Sequence, residues 1–341
     1  MREPCKGPAA REDVILDIRG LKLWYKVYKS DAKVLDGVDL QVRRGEKVGL
    51  VGEAGCGKTS TVKAVLQILP EQQYVIPEGE IFFKGKDVLK MNGRELNELR
   101  TSGVSMVYQE PAAALNPVFT IGEQMLDVVR FSEAGRRETK AQQRERGLQA
   151  IRDVCIPDPE RIFGFYPNQL SGGMKQRICI AMAIMTKRDL LIADEPGTAL
   201  DVTIQDQVHR ILKQLVAERQ MSLIMITHSL GVARELTDSV NVMYAGNVVE
   251  ASPTAELFRN PLHPYTIGLL DSVPRLSGGG IRAGIYGSIP DYLHPKPGCR
   301  FCPRCQFATE QCYREKPALA DVGNGHKVAC FHAAKKEVGG Q

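Results

Sequence analysis

Gly52-Glu53-Ala54-Gly55-Cys56-Gly57-Lys58-Thr59 is the stretch on which the fold turns. Its spacing is G-x-x-x-x-G-K-[ST], and the glycines let successive backbone N–H groups point inward at phosphate oxygens. The apolar run Lys47–Val51 before it reads as a short strand. Thr59–Leu69 after it repeats apolar residues at helical spacing, so the positive end of a helix dipole backs the loop. In that setting Lys58 supplies a mobile cation for the β and γ phosphates, and the Thr59 hydroxyl is placed for Mg²⁺. A chance glycine-rich turn would require neither the strand nor the helix.

Working outward, Leu190-Leu191-Ile192-Ala193-Asp194-Glu195 is an apolar run ending in two acids. Strand ends of a parallel sheet open onto the ligand crevice, so both carboxylates are expected to face the nucleotide. Asp194 is the natural holder of Mg²⁺, and Glu195 is placed to orient and deprotonate the attacking water. Alone, such a run is a weak signal; behind a phosphate loop it is strong. Gln109 closes the strand Val104–Tyr108 and can reach metal and water. His228 closes Leu223–Thr227, where an imidazole can meet the γ-phosphate, although a lone histidine is more often structural. Tyr25 offers an aromatic face for adenine or, equally, for the core.

Bulk properties narrow the class. The 341 residues, 43% of them apolar, allow one large α/β domain and a smaller appendage. A net charge of +5 is too slight to argue for nucleic acid. No apolar run approaches the roughly 18 residues of a membrane span, and Met1–Arg11 lacks the apolar core of a secretory signal. A soluble cytosolic chain is expected, so any part in transport must come through a membrane partner. Cys299, Cys302, Cys305, Cys312 and Cys330 crowd together among nine cysteines. The cytosol disfavours disulfides, which turns the reading toward metal ligation.

Val14–Leu23 and Val34–Val42 alternate apolar and polar residues and read as antiparallel strands with one wet face. Leu115–Met185 is mainly helical, with the charged Arg136–Arg146 as a solvated face. Leu190–Ala193 and Leu223–Thr227 read as buried parallel strands around a helical Thr203–Gln220. Val240–Tyr244 and Asn247–Glu250 flank a hairpin turn at Ala245-Gly246. Beyond Phe258 the composition shifts to proline, glycine and cysteine, which places a boundary there.

Leu170-Ser171-Gly172-Gly173-Met174-Lys175-Gln176-Arg177 resembles the signature sequence of ATP-binding cassette (ABC) proteins. Asp194-Glu195-Pro196 with Ala199-Leu200-Asp201 resembles that family's Walker B and D-loop, and His228 its switch histidine. The likeness spans about residues 14–258. It implies a P-loop NTPase ABC cassette: α/β, with a mainly parallel core sheet, an antiparallel β subdomain and a helical subdomain at about 110–186. It also implies that ATP and Mg²⁺ are bound by Gly52, Gly55, Cys56, Gly57, Lys58, Thr59 and Ser60. The partner cassette's nucleotide would meet Ser171, Gly172, Gly173, Gln176 and Asp201. Physically, Ser171 and the glycines open a helix, making a second anion-binding N-terminus. In the family two cassettes close head to tail over two ATP molecules and reopen on hydrolysis. Leu276-Ser277-Gly278-Gly279 repeats the signature letters without a helix-forming continuation and reads as linker. Gly197 stands where the family usually has Ser or Thr. Cys56 is either a small filler or, beside Lys58 and a helix N-terminus, a thiol of lowered pKa.

Asn260-Pro261-Leu262-His263-Pro264-Tyr265-Thr266 resembles the start of the C-terminal region of oligopeptide, dipeptide and nickel importers. Ser288-Ile289-Pro290, Pro297-Gly298-Cys299 and Leu115-Asn116-Pro117 extend the likeness, giving a Cys/Pro-rich appendage at 259–341. Members of the dipeptide branch resemble it at Cys299, Cys305, Cys312 and Cys330, where they can carry a [4Fe–4S] cluster. Cys302 is extra, and its Cys-x-x-Cys-x-x-Cys leaves zinc and metal-free thiols open. The resemblance implies an ATPase on the cytoplasmic face of a bacterial inner membrane. Its partners would be two permease subunits, a second and paralogous cassette and, through the permease, an external solute-binding protein. Di- or oligopeptides are the expected cargo, with nickel or another small solute as the alternative. A soluble ABC ATPase acting on ribosomes or DNA would usually carry two cassettes or a long coiled-coil insertion. A regulatory module without turnover conflicts with Glu195 and His228.

Overall fold

The computed structural model describes residues 13–333 apart from 71, 133–134, 136, 199 and 273–283. The chain begins with strands β1 (Val14–Val27), β2 (Ser30–Arg43) and β3 (Lys47–Val51), then helix α1 (Lys58–Leu66). Strands β4 (Tyr74–Phe83) and β5 (Lys86–Asp87), helix α2 (Gly93–Glu98) and strand β6 (Val104–Val107) follow. A helical stretch comprises α3 (Pro111–Ala114), α4 (Ile121–Arg130), α5 (Lys140–Asp153), α6 (Pro159–Phe163) and α7 (Gly172–Ile184). Strand β7 (Leu190–Asp194), helix α8 (Val202–Glu218), strand β8 (Ser222–Thr227) and helix α9 (Leu230–Leu236) come next. The C-terminal third holds β9 (Ser239–Tyr244), β10 (Asn247–Pro253), α10 (Thr254–Arg259), α11 (Pro264–Asp271), α12 (Glu310–Arg314), β11 (Ala320–Asp321) and β12 (Lys327–Val328).

These elements form two compact units. The first takes in the described residues of Met1–Leu16, Gln41–Glu46 and Phe82–Met225. In it β6 and β7 run parallel, from Val104 opposite Leu190 to Val107 opposite Ala193. All five residues of β7 are buried, as its unbroken apolar run requires. Thr120 and Glu123 form a capping box on α4, and Thr139 and Gln142 form one on α5. Each box satisfies orphan N–H groups and fixes where its helix starts. The decoy Leu276–Gly279, Arg136 and Ala199 lie outside the described residues.

The second unit takes in Asp17–Leu40, Lys47–Ile81 and the described residues of Ile226–Gln341. Strands β2, β1 and β4 lie side by side there. Strand β3 runs parallel to β9, with Val48 opposite Ser239, and β9 pairs antiparallel with β10. The turn between them has φ of 42° at Ala245 and 80° at Gly246, the primed geometry that matches strand twist. Further along β10, Glu250 pairs with Val328 of β12. Tyr244 meets Tyr265 edge-on at 4.7 Å and Phe301 at 5.1 Å, so the C-terminal residues share this unit's aromatic core. Among the described residues no helix is long and apolar enough to cross a membrane.

Candidate nucleotide site

The glycine-rich loop Gly52–Gly57 lies in the second unit, between β3 and α1. Gly57, at φ 105°, is the N-cap of α1. A Cβ at Gly52 would sit 2.1 Å from the Met243 carbonyl oxygen, so only glycine fits this approach. Lys58 is buried and folds back across the loop, its Nζ donating to the carbonyls of Gly52 at 2.7 Å and Glu53 at 3.0 Å. Thr59 and Ser60 are half-buried in the first turn of α1, and the Tyr25 hydroxyl donates to Ser60 Oγ at 3.0 Å. Tyr25, Lys58, Thr59 and Ser60 are thus gathered at one helix start. Cys56 corrects one sequence expectation. The side chain is fully buried, and that burial outweighs the nearby Lys58 and raises the thiol pKa. It is a packed filler, not an activated nucleophile.

In the first unit Asp194 ends β7 as a buried acid. Glu195 follows with φ 45°, a left-handed backbone that is rare for a non-glycine residue and that clusters at functional sites. Its Oε2 accepts from Gln109 Nε2 at 3.4 Å and from the Thr198 hydroxyl at 2.9 Å. Gln109 and Glu195 are therefore brought into contact. Thr198 was not read from the sequence; the only signal was a hydroxyl three residues past the acid, where Thr198 N–H donates to the Glu195 carbonyl at 3.2 Å. A Cβ at Gly197 would lie 2.5 Å from Gln205 Cγ, so the family's usual Ser or Thr would need that side chain to move.

Ser171 is the N-cap of the 13-residue α7, its exposed hydroxyl accepting from Met174 N–H at 3.3 Å. Gly172 and Gly173 form the first turn, at the helix end whose dipole favours an anion. Gln176 faces inward and is buried. Asp201 caps α8 by accepting from Ile204 N–H at 3.0 Å. In the second unit His228 is exposed in a bend directly after β8.

Cys299, Cys302, Cys305, Cys312 and Cys330 line one pocket together with Phe301, Phe307 and His332. Burial pushes the Cys299 thiol up to about 11 and raises Cys302 and Cys305 as well. Among the described residues no three His, Cys, Asp or Glu side chains converge as a metal cage.

Residues 35–198 match the family described as ABC transporter, and residues 249–312 match the oligopeptide/dipeptide transporter C-terminal region. The probable peptide ABC transporter ATP-binding protein y4tR of Sinorhizobium fredii is 41% identical, over 95% of this chain and 96% of its own length. The probable D,D-dipeptide transport ATP-binding protein DdpD of Escherichia coli is 40% identical, over 95% and 98%. The ATP-binding cassette MJ0796, solved as a dimer bound to ADP and Pi, superposes with a TM-score of 0.63 at 25% identity, over 70% of this chain and 98% of that one. A glycine cradle, a paired acid and a serine-capped signature helix agree with these likenesses. The chain belongs to the ABC transporter family of ATP-binding subunits, in the branch that carries the oligopeptide/dipeptide transporter C-terminal region.

Proposed function

We propose that this chain is the ATP-hydrolysing subunit of a bacterial importer for di- or oligopeptides. It is an ATPase of the ABC type. In the proposed reaction the loop Gly52–Thr59 holds the triphosphate and Lys58 turns from its loop carbonyls to the β and γ phosphates. Tyr25 and Ser60 flank the nucleotide. Thr59, Gln109 and Asp194 supply oxygen donors of the hard type Mg²⁺ takes. When bound, Mg²⁺ neutralises the charge of the β and γ phosphates. Glu195, aimed by Gln109 and Thr198, takes the proton of the attacking water, and His228 contacts the γ-phosphate. Ser171, Gly172, Gly173 and Asp201 serve the nucleotide held by a second, paralogous cassette, whereas Gln176 is buried within its own helical packing and does not. Closing and opening of that pair would drive two permease subunits at the cytoplasmic face of the inner membrane, with cargo delivered by an external binding protein.

The observation that carries this reading is the carboxylate of Glu195, held in a left-handed backbone by two hydrogen bonds beside a buried Asp194. Support for a permease contact comes from Val118 and Phe119, which are 74% and 51% exposed just beyond Gln109. Peptide as cargo is supported by the names of the relatives. Glu195→Gln should lower kcat by at least about a hundredfold while ATP still binds. Turnover near wild type in that variant would refute the assignment. Transport assays with the permease, offering peptide and nickel in turn, decide the cargo. A [4Fe–4S] cluster or zinc at Cys299, Cys305, Cys312 and Cys330, with Cys302 as substitute, is the finer reading of the thiol pocket. What supports it is five thiols on one cavity; iron, zinc and acid-labile sulfide analysis of the purified protein tests it.

A further inference from the structure

Glu53 puts a carboxylate in the second position of a loop whose task is to hold a triphosphate. Left alone, that charge would repel the ligand through a partly desolvated medium. Arg304, from the C-terminal region, meets it as a fork, with Nη1 to Oε2 at 2.8 Å and Nη2 to Oε1 at 3.1 Å. The other guanidinium contacts are the carbonyls of Tyr286 at 2.9 Å and Ile285 at 3.0 Å and the Tyr244 hydroxyl at 3.3 Å. With its side chain 6% exposed, Arg304 is held in a fixed orientation rather than left to swing.

Two more side chains of the same region reach the loop. The Tyr265 hydroxyl accepts the Glu53 N–H at 3.0 Å, and the Tyr292 hydroxyl donates to the Gly55 carbonyl at 2.8 Å. Tyr265 is fully buried against Tyr244 and Phe301, which fixes where its hydroxyl lies. Peptide units at two positions of the cradle are therefore pinned by residues more than 200 positions away. A phosphate cradle works by presenting N–H groups already aimed, so pinned peptide units lower the cost of binding.

We propose that Tyr265, Tyr292 and Arg304 are positioning residues for the phosphate loop, so that the C-terminal region is a working part of the nucleotide site. Arg304 cancels the charge of Glu53, and the two tyrosines hold the loop's peptide planes. The proposal rests on reading Gly52–Thr59 as the phosphate loop, and Lys58→Ala serves as the separate check of that reading.

The test is calorimetric titration of Mg·ATP into the full chain, with Arg304→Gln, Glu53→Gln and the double variant. Arg304→Gln should weaken ATP binding by about tenfold or more, because Glu53 is left uncompensated. Glu53→Gln should bind no more weakly than wild type. The double variant should recover to within about threefold, a rescue that a merely structural strut would not show. Wild-type affinity in Arg304→Gln, or a double variant as weak as Arg304→Gln, overturns the proposal. Should thermal melting show that Arg304→Gln does not fold, Tyr292→Phe decides: about a threefold rise in KM for ATP at unchanged kcat is expected, and an unchanged KM overturns it. If Lys58→Ala binds ATP as wild type does, the phosphate-loop reading itself falls. If Lys58→Ala loses ATP while the Arg304 and Tyr292 variants keep it, only the positioning role falls.

Discussion

Glu195 shows how much a single residue's surroundings decide. Its acid type and place after an apolar strand were legible, but its aim is not set by its own sequence position. Aim comes from the Thr198 hydroxyl at 2.9 Å and from a backbone φ of 45° that a local turn imposes. Thr198→Val should therefore lower kcat about tenfold, one hydrogen bond's worth, with KM for ATP little changed in steady-state assays. Cys56 went the other way. A helix N-terminus and a lysine argued for a reactive thiol, yet the side chain is fully buried and desolvation dominates. Iodoacetamide should label Cys56 slowly in the native protein at neutral pH and rapidly after denaturation, read by mass spectrometry. Fast native labelling would contradict the packed thiol.

At the scale of elements, periodicity and punctuation carried most of the fold. Lys47–Val51 is a strand as expected. The helix after the loop ends at Leu66, not Leu69, because Gln67 turns left-handed at φ 49°. Val104–Val107 is one residue shorter than expected, and β1 and β2 extend further than their alternation indicated. Strand ends are set by pairing partners, which alternation cannot see. The signature helix offers a sharper test. A Cβ at Gly173 would approach Ile204 Cγ2 of α8 to 2.7 Å, so helix packing requires the glycine independently of any ligand. Gly173→Ala should cost about 1–3 kcal/mol in urea unfolding, and Ile204→Ala in the same chain should relieve part of that cost.

Across the molecule, what stayed illegible is long-range. Nothing in the local pattern of Tyr265, Tyr292 or Arg304 announces a phosphate loop 200 residues earlier, because hydrogen bonds of that span leave no period in the chain. His263 is 1% exposed, its Nδ1 accepting Tyr265 N–H at 3.0 Å. Burial lowers its pKa to about 4, against a smaller upward pull from Glu250. An unfolded histidine titrates near about 6.5, so between the two values the unfolded state binds the extra proton. Stability should thus be full above about pH 6.5 and fall as pH drops toward 4, by on the order of 3 kcal/mol. His263→Asn keeps a cap acceptor and should flatten that slope in melts taken across the range.

Glu250, at 0% exposure, accepts from Leu262 N–H at 2.7 Å and His263 N–H at 3.0 Å and meets His326 Nε2 at 2.7 Å. Every one of these partners lies beyond Phe258, where composition alone suggests a place to cut. A fragment trimmed there would strip a carboxylate of all three at once and bare the aromatic faces around Tyr244. Such a truncate should express as aggregate, and the cassette cannot be harvested without its tail.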